Sequence, residues 1–577
     1  MRLRDGEPGR RASGIAVPAW CALLTLVVLG PVLAPGFVLT YDMVFTPRQF
    51  LVPDALGVGT AAPRAVPLDA VMALLTVVVP GDLVQKLALL AIVFLAGLGA
   101  SRLLPGASVP VRLVAATAYT WNPYVAERLV IGHWALLVAY AALPWLIRCG
   151  IAARSASPAA LARLLVLSAV CALTPTGGLL AGVVVVAVMC LPGTSWRARA
   201  VSGVALFVVN APWWLPGVLQ EPTARADAAG VAAFAARSDT KWGDVWSLLG
   251  LGGIWNEQVV PDSRGTLFAA VALAFVLGFG VLGLVSVARS DRRLVAVLVA
   301  TGVVGLGLAA LGTVPVGRSF LETLTGIVPG AGLLRDGQKF VALLAPLEAL
   351  CFATGARAVA DLLVRRAGSL LGARAVLVGA LLLPVVALPD LAWGVDHRLE
   401  PVSYPSDWTR VRQVLADQGA DGDVLVLPWS AFRQFDWNDR RTSLDPAPRF
   451  LPVGVVGSAD LVVGGRTVRG EDPRPARVER LLHSGEPLRV TMPAEGIGWV
   501  LVERGTPGPP VPPGLLDGAR PVVTGSALRL FRLPGTVTAP QVSHRGLVAV
   551  VDLAVLLLVC GCGAVAFRRR GTRPLLS

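Results

Sequence analysis

Apolar residues in this chain come in long, nearly uninterrupted runs, not in the short periodic stripes of a soluble core. The runs lie at 15–37, 83–104, 109–125, 131–149, 160–176, 177–193, 199–219, 265–288, 294–313, 337–356, 375–394 and 546–567. A helix needs about 20 apolar residues to cross the hydrocarbon layer, so these runs predict about twelve spanning helices. The fold class expected is an α-helical polytopic membrane protein. The first run follows a basic stretch, MRLRDGEPGRR, in the manner of a signal peptide. It is long, however, and LAPGFVLTYD offers no good small-x-small cleavage site, so an uncleaved first helix entering from the cytoplasm is expected.

Alternating the runs through a membrane gathers the arginine-rich connections on one side. These are Arg102/Arg112, Arg148/Arg154/Arg163, Arg197/Arg199, Arg289/Arg292/Arg293, Arg357/Arg365/Arg366/Arg374 and Arg568/Arg569/Arg570. By the positive-inside rule that side is cytoplasmic. The expected location is the plasma membrane, multi-pass, with both termini cytoplasmic. Segments 38–82, 220–264, 314–336 and 395–545 then face outward. The first three are too long for simple connectors and are candidates to carry function. The chain divides into a polytopic domain (1–394), an extracytoplasmic domain (395–545) and a final helix with a basic tail (546–577).

Within 395–545 the pattern changes. DWTRVRQVLADQG reads as a helix, DGDVLVLPW as a strand ending at Pro428, and IGWVLVERG and ALRLFRLPG as later strands. PGPPVPPG (507–514) reads as a loop. A small α/β domain before the last helix is expected. In the second outer segment, Trp242, Trp246 and Trp255 of KWGDVWSLLGLGGIW suit a helix in the headgroup layer, with substrate stacking as the other reading.

Composition supports the membrane reading: 55% of the 577 residues are hydrophobic and 15% charged, where a soluble protein carries about a quarter charged. The net charge of +14 suggests nucleic acid only until it is located. The cytoplasmic segments hold 22 basic against 4 acidic residues, whereas 395–545 holds 18 against 17. The excess therefore marks orientation, and no nucleic-acid partner is expected. All seven cysteines lie in or beside apolar runs, so no disulfide framework braces the exported domain. Only three of 51 basic residues are lysines, which points to a GC-rich bacterial genome.

Three segments come in a meaningful order, LTYDMVFTPRQFLVPDALG directly after the first helix, YTWNPYVAERLVIGHW and LLRDGQKFVALLAPLEAL, followed by the exported domain and a closing helix. This order resembles the GT-C superfamily of integral membrane glycosyltransferases, especially actinobacterial arabinofuranosyltransferase-like proteins. The resemblance implies transfer of a sugar from a polyprenyl-phosphate donor to a cell-envelope glycan on the outer face. The partners implied are membrane lipid, that donor and the glycan acceptor.

In that superfamily a first-loop carboxylate is catalytic, and Asp42 is the matching position. A carboxylate at the membrane–water boundary can serve as base for an acceptor hydroxyl beside a leaving phosphate. Many relatives have adjacent acids, whereas here Asp54 lies well downstream of Asp42. That departure leaves a divalent metal an open question, and no metal ligands or other cofactor are identified. The bland alternative for Asp42 is capping or solvating a short helix.

Arg335 and Lys339, four residues apart at the outer mouth of a run, would share a helix face and suit the donor phosphate. Headgroup anchoring, or local pairing with Asp336, is their alternative. Glu127, Arg128 and His133 sit where two runs meet the outer surface, as possible supporting polar groups. For His133 an interhelical contact is favoured over acid–base duty. Glu348 falls inside a run, where an ionisable group suggests function or a bond to a neighbouring helix. Asp552 and Asn210 raise the same question. The rival functions are a transporter or flippase for a lipid-linked saccharide, and a non-catalytic envelope-assembly scaffold.

Overall fold

The computed structural model describes residues 7–219, 226–419, 421–538 and 542–568. The basic ends, residues 1–6 and 569–577, lie outside the described residues. The protein is a multi-pass helical membrane protein with a small sheet domain before its last helix. Among the described residues, seven helices are long and apolar enough to cross a membrane. They are Gly14–Leu33, Gly81–Arg102, Trp134–Ala153, Leu267–Ser290, Arg292–Leu311, Leu370–Ala387 and Arg545–Ala566. Two bent pairs bring the number to nine: Trp196–Val209 with Ala211–Leu219, bent by 59°, and Gly337–Leu343 with Ala345–Ala367, bent by 40°.

The other three apolar runs form shorter helices, Val109–Thr120, Pro158–Cys171 and Pro175–Met189, of 12, 14 and 15 residues. Local chemistry stops them. Asn122 caps a new helix by accepting from Val125 N, and Thr174 does the same by accepting from Gly177 N, with a proline next in each case. The helices pack through small residues, as expected where lipid supplies no hydrophobic drive. A methyl on Gly283 would overlap the carbonyl of Cys351, and one on Gly355 the carbonyl of Phe279. Leu267–Ser290 and Ala345–Ala367 therefore meet backbone to backbone.

In the sheet domain, five strands run in the order Val455–Val456, Asp423–Leu427, Ile497–Glu503, Leu528–Arg532, Arg520–Thr524. The first three are parallel and the rest antiparallel. Alternate residues serve opposite faces. Val424, Val426, Trp499 and Leu501 meet Trp408, Val411 and Leu415 of the helix Ser406–Asp417. Leu425, Leu427, Val500 and Phe531 meet Val478 of Pro473–His483. Burial on both faces explains why residues 424–427 are apolar throughout.

Two hairpins project from the sheet: Phe432–Arg433 with Ser443–Leu444, and Leu461–Val463 with Arg466–Val468. The second turns at Gly464 and Gly465, whose φ values of +56° and +76° suit a tight hairpin turn.

The headgroup helix expected around the tryptophans is not formed as a unit. Its helix, Asp244–Leu249, has six residues. Trp242 is 53% exposed, but Trp255 packs edge-on to Phe234 with ring centres 4.9 Å apart. The glycines of LGLGG end the helix before the third indole can join its face.

Candidate functional site

The loop after the first helix is pinned along its length. Phe37 bridges Val402, Gln85 bonds both backbone groups of Val38, and Thr40 Oγ1 donates to Val130 O. Tyr41 stands at φ +39°, a strained value for a side chain of its size, and so turns the chain sharply at Asp42. Asp42 N donates to Ile131 O over 3.2 Å. Gly132, at φ +78°, permits this close approach, because a Cβ there would strike the backbone of Thr40, Asp42 and Met43.

Asp42 Oδ2 lies 3.1 Å from His133 Nε2, and His133 Nδ1 lies 2.8 Å from Arg128 Nη1. A guanidinium only donates, so Nδ1 must accept and the ring proton sits on Nε2, directed at Asp42. Burial alone would raise the Asp42 carboxyl. The hydrogen bond and charge of His133, with Lys339 and Arg449, outweigh it and hold the carboxyl below its ordinary value. Burial pushes His133 down, against the pull of Asp42. Near neutral pH the pair is a carboxylate and a neutral imidazole. Asp42 keeps 45% of its side chain exposed and His133 12%, so the carboxylate faces open space from a fixed base.

Arg128, fully buried, holds this arrangement from behind. It pairs with Asp336 over 3.3 Å and donates to Gln338. Gln338 in turn donates to Glu127 Oε2 and to Gly252 O, each over 3.1 Å. Burial, together with Asp239, pushes Glu127 well up, and its Oε1 has no hydrogen-bond partner. Burial would raise Asp336 too, but Arg128 and Lys339 hold it far below the carboxylate range.

Lys339 pairs with Asp336 over 3.3 Å and is 24% exposed. Arg335 does not share its face. The segment Gly337–Leu343 is a 3-10 helix packed tightly on Leu308, Ala309 and Gly305, so the four-residue α-helical spacing does not apply. Arg335 turns instead to Glu471 of the sheet domain, over 3.2 Å, and lies above the Phe234 ring.

Glu348 stands apart from Asp42. It lines a cavity with about 640 Å³ of empty space, partly open, among Trp121, Asn122, Leu251, Arg264, Leu273 and Leu383. Its Oε1 has no hydrogen-bond partner. Asp552 Oδ1 also has none, whereas Asn210 is satisfied locally by Leu206 O and Trp213 Nε1.

Sequence reasoning missed Arg449. It reaches Asp69 over 3.1 Å, its carbonyl accepts from Thr46, and its charge acts on Asp42. Nothing local marks it, because its partners lie in the segment after the first helix, 380 and 403 residues away. Gln338 was likewise invisible as a hub. Among the described residues no group of three or more His, Cys, Asp or Glu side chains is placed to hold a metal ion.

No family model matches the chain, and no curated protein is significantly similar in sequence. Solved structures do match. The cryo-EM structure of the arabinofuranosyltransferase AftD from mycobacteria covers 92% of this chain with a TM-score of 0.53 and 18% identity. A mutant form of AftD covers the same share with a TM-score of 0.54 and 18% identity. This chain spans 40% and 42% of those two chains. ArnT from Cupriavidus metallidurans, bound to undecaprenyl phosphate, covers 93% of this chain and 100% of its own. Its TM-score of 0.39 and 14% identity are too loose to carry an argument. The chain therefore shares its fold with the mycobacterial arabinofuranosyltransferase AftD.

Proposed function

We propose that this protein transfers a sugar from a polyprenyl-phosphate donor to a cell-envelope glycan on the outer face of the membrane, with Asp42 as the base. One observation carries the reading: a half-exposed carboxylate, fixed by His133, lies within the electrostatic reach of two cations from different domains. The acceptor hydroxyl would attack the anomeric carbon as the bond to the donor phosphate breaks. Its proton passes to Asp42, and the phosphate leaves with the bonding pair. A carboxylate held below its ordinary pKa is a weak base, so it takes the proton late, once the attacking oxygen has become acidic.

Of the two predicted phosphate ligands Lys339 is the stronger candidate, joined by Arg449, because the charges of these two act on Asp42, whereas Arg335 is directed to Glu471 of the sheet domain. Glu127, Arg128 and Gln338 support His133 and do not touch the reacting atoms. The fold shared with AftD supports an arabinofuranosyl donor.

The test is transfer from a labelled polyprenyl-phosphate pentofuranose to an oligosaccharide acceptor in liposomes. Asp42→Asn preserves size but accepts no proton, and is expected to lose about 100-fold or more. Full activity in that variant would overturn the base role. The two broken helix pairs favour a second reading, transport of a lipid-linked saccharide. No transfer by the wild type with any such donor, together with saccharide crossing the bilayer, would establish it instead.

A further inference from the structure

The sheet domain does more than sit near Asp42. Its hairpin extends a strand onto the Asp42 loop. Tyr41 N donates to Thr442 O, Leu444 N donates to Tyr41 O over 2.8 Å, and Tyr41 bridges Ser443 in parallel. Asn438 Nδ2 donates to Leu39 O over 3.2 Å. The Tyr41 ring meets Phe432 edge-on, and its hydroxyl donates to Gln258 over 2.7 Å. The strained residue that aims Asp42 is thus gripped on its backbone and its ring by one hairpin.

That hairpin is itself anchored. Arg433, fully buried, donates to Ser430 O, to Asp445 Oδ2 over 3.0 Å, and to Glu503 Oε2 at the end of a central strand. One side chain ties both legs of the hairpin to the main sheet.

We propose that the hairpin Phe432–Leu444 positions Asp42, and that Arg433 is the positioning residue that fixes the hairpin. The consequence for catalysis rests on the reading of Asp42 as the base. The N–H of Leu444 points to Tyr41 and away from its hairpin partner Phe432. Leu444→Pro therefore removes one of the two backbone bonds between the hairpin and Tyr41 and leaves the hairpin's own bonds in place. Arg433→Met alone strands Glu503 in the core and can fail to fold, so Arg433→Met is paired with Glu503→Gln.

A readout independent of activity is the titration of His133, one of only four histidines, followed by nitrogen-15 NMR in the full-length protein. Arg128 and Lys339 lower His133 and Asp42 raises it, while Asp336, which also interacts with the His133 charge, is held by Arg128 outside the hairpin's reach. If the hairpin releases Asp42, the His133 midpoint falls in both variants, and kcat drops about tenfold or more with donor KM unchanged. A wild-type His133 midpoint in folded Leu444→Pro protein would overturn the proposal. A fallen midpoint with full transfer would uphold the positioning and sink Asp42 as base. A fallen midpoint in a protein that transfers nothing would uphold it and sink the glycosyltransferase reading.

Discussion

Replacing His133 with phenylalanine keeps a ring of similar size but deletes both nitrogens, so it isolates what the imidazole does for Asp42. Arg128 retains Asp336 and Gln338, and the fold should survive. A hydrogen bond to a charged group is worth about 1.5–3 kcal/mol. Asp42 is 45% exposed, and water replaces part of that bond, leaving about 1 kcal/mol. At 1.4 kcal/mol per tenfold, misplacing the carboxylate by this amount costs about fivefold in kcat.

The pH profile is the more selective readout. His133 helps to hold the Asp42 carboxyl below its ordinary 3.8. A depressed carboxyl stabilises the native state above that value, and the contribution is lost as pH falls through the depressed one. Without His133 the two largest lowering influences are gone and the carboxyl rises from its native position. The acid limb of the kcat profile should then move to higher pH, as should the acid limb of thermal stability. Liposome transfer assays for kcat, and thermal melts, from pH 2 to pH 8 would check this. An acid limb at the wild-type position with unchanged kcat would refute the coupling of Asp42 to His133.

On a cysteine-free background, Ser406→Cys should be labelled from outside intact cells and Ser155→Cys only after permeabilisation; the reverse would invert the topology. Arg264→Met leaves Asp239 buried without its partner, 2.9 Å away in the native pair. It should cost about 3–5 kcal/mol, read as a marked fall in thermal midpoint. Burial and Asp445 push Glu503 up to about 8 against the pull of Arg433. A raised carboxyl gives stability that is present below its unfolded pKa and is lost as pH rises through about 8. Tryptophan fluorescence of the sheet domain should show that decline and its loss in Glu503→Gln; an equal slope in both proteins would contradict it.

Much of the fold was legible because lipid imposes a coarse rule: every long apolar run became a helix or a bent pair. The strands at Asp423–Leu427, Ile497–Glu503 and Leu528–Arg532 were legible because β-branched and apolar residues cluster between turn residues. Span lengths were not, since Asn122 and Thr174 end helices through caps that hydropathy does not register. The 3-10 conformation of GQKFVAL was hidden as well, because it follows from close contact with another helix at Gly305 and Gly337. The charge of Lys339 does act on Asp42, but the shared face expected for Arg335 and Lys339 rested on an α-helical period that the 3-10 segment does not have. Arg449 could not have been found, because its role exists only across the domain junction.

The grip of the sheet domain on the Asp42 loop also sets an order of assembly. Asp42 leaves the ribosome early, while Thr442, Leu444 and Arg449 follow some 400 residues later, as the 403 between Thr46 and Arg449 measures. At synthesis rates of about 5–20 residues per second, the loop waits roughly 20 to 80 s for its partners. Throughout that interval the nascent chain is already embedded among lipids, without the strand that aims its carboxylate. The loop acquires its partner strand only when the sheet domain has folded back onto it. A chain truncated before Leu444 would thus hold the loop without that strand.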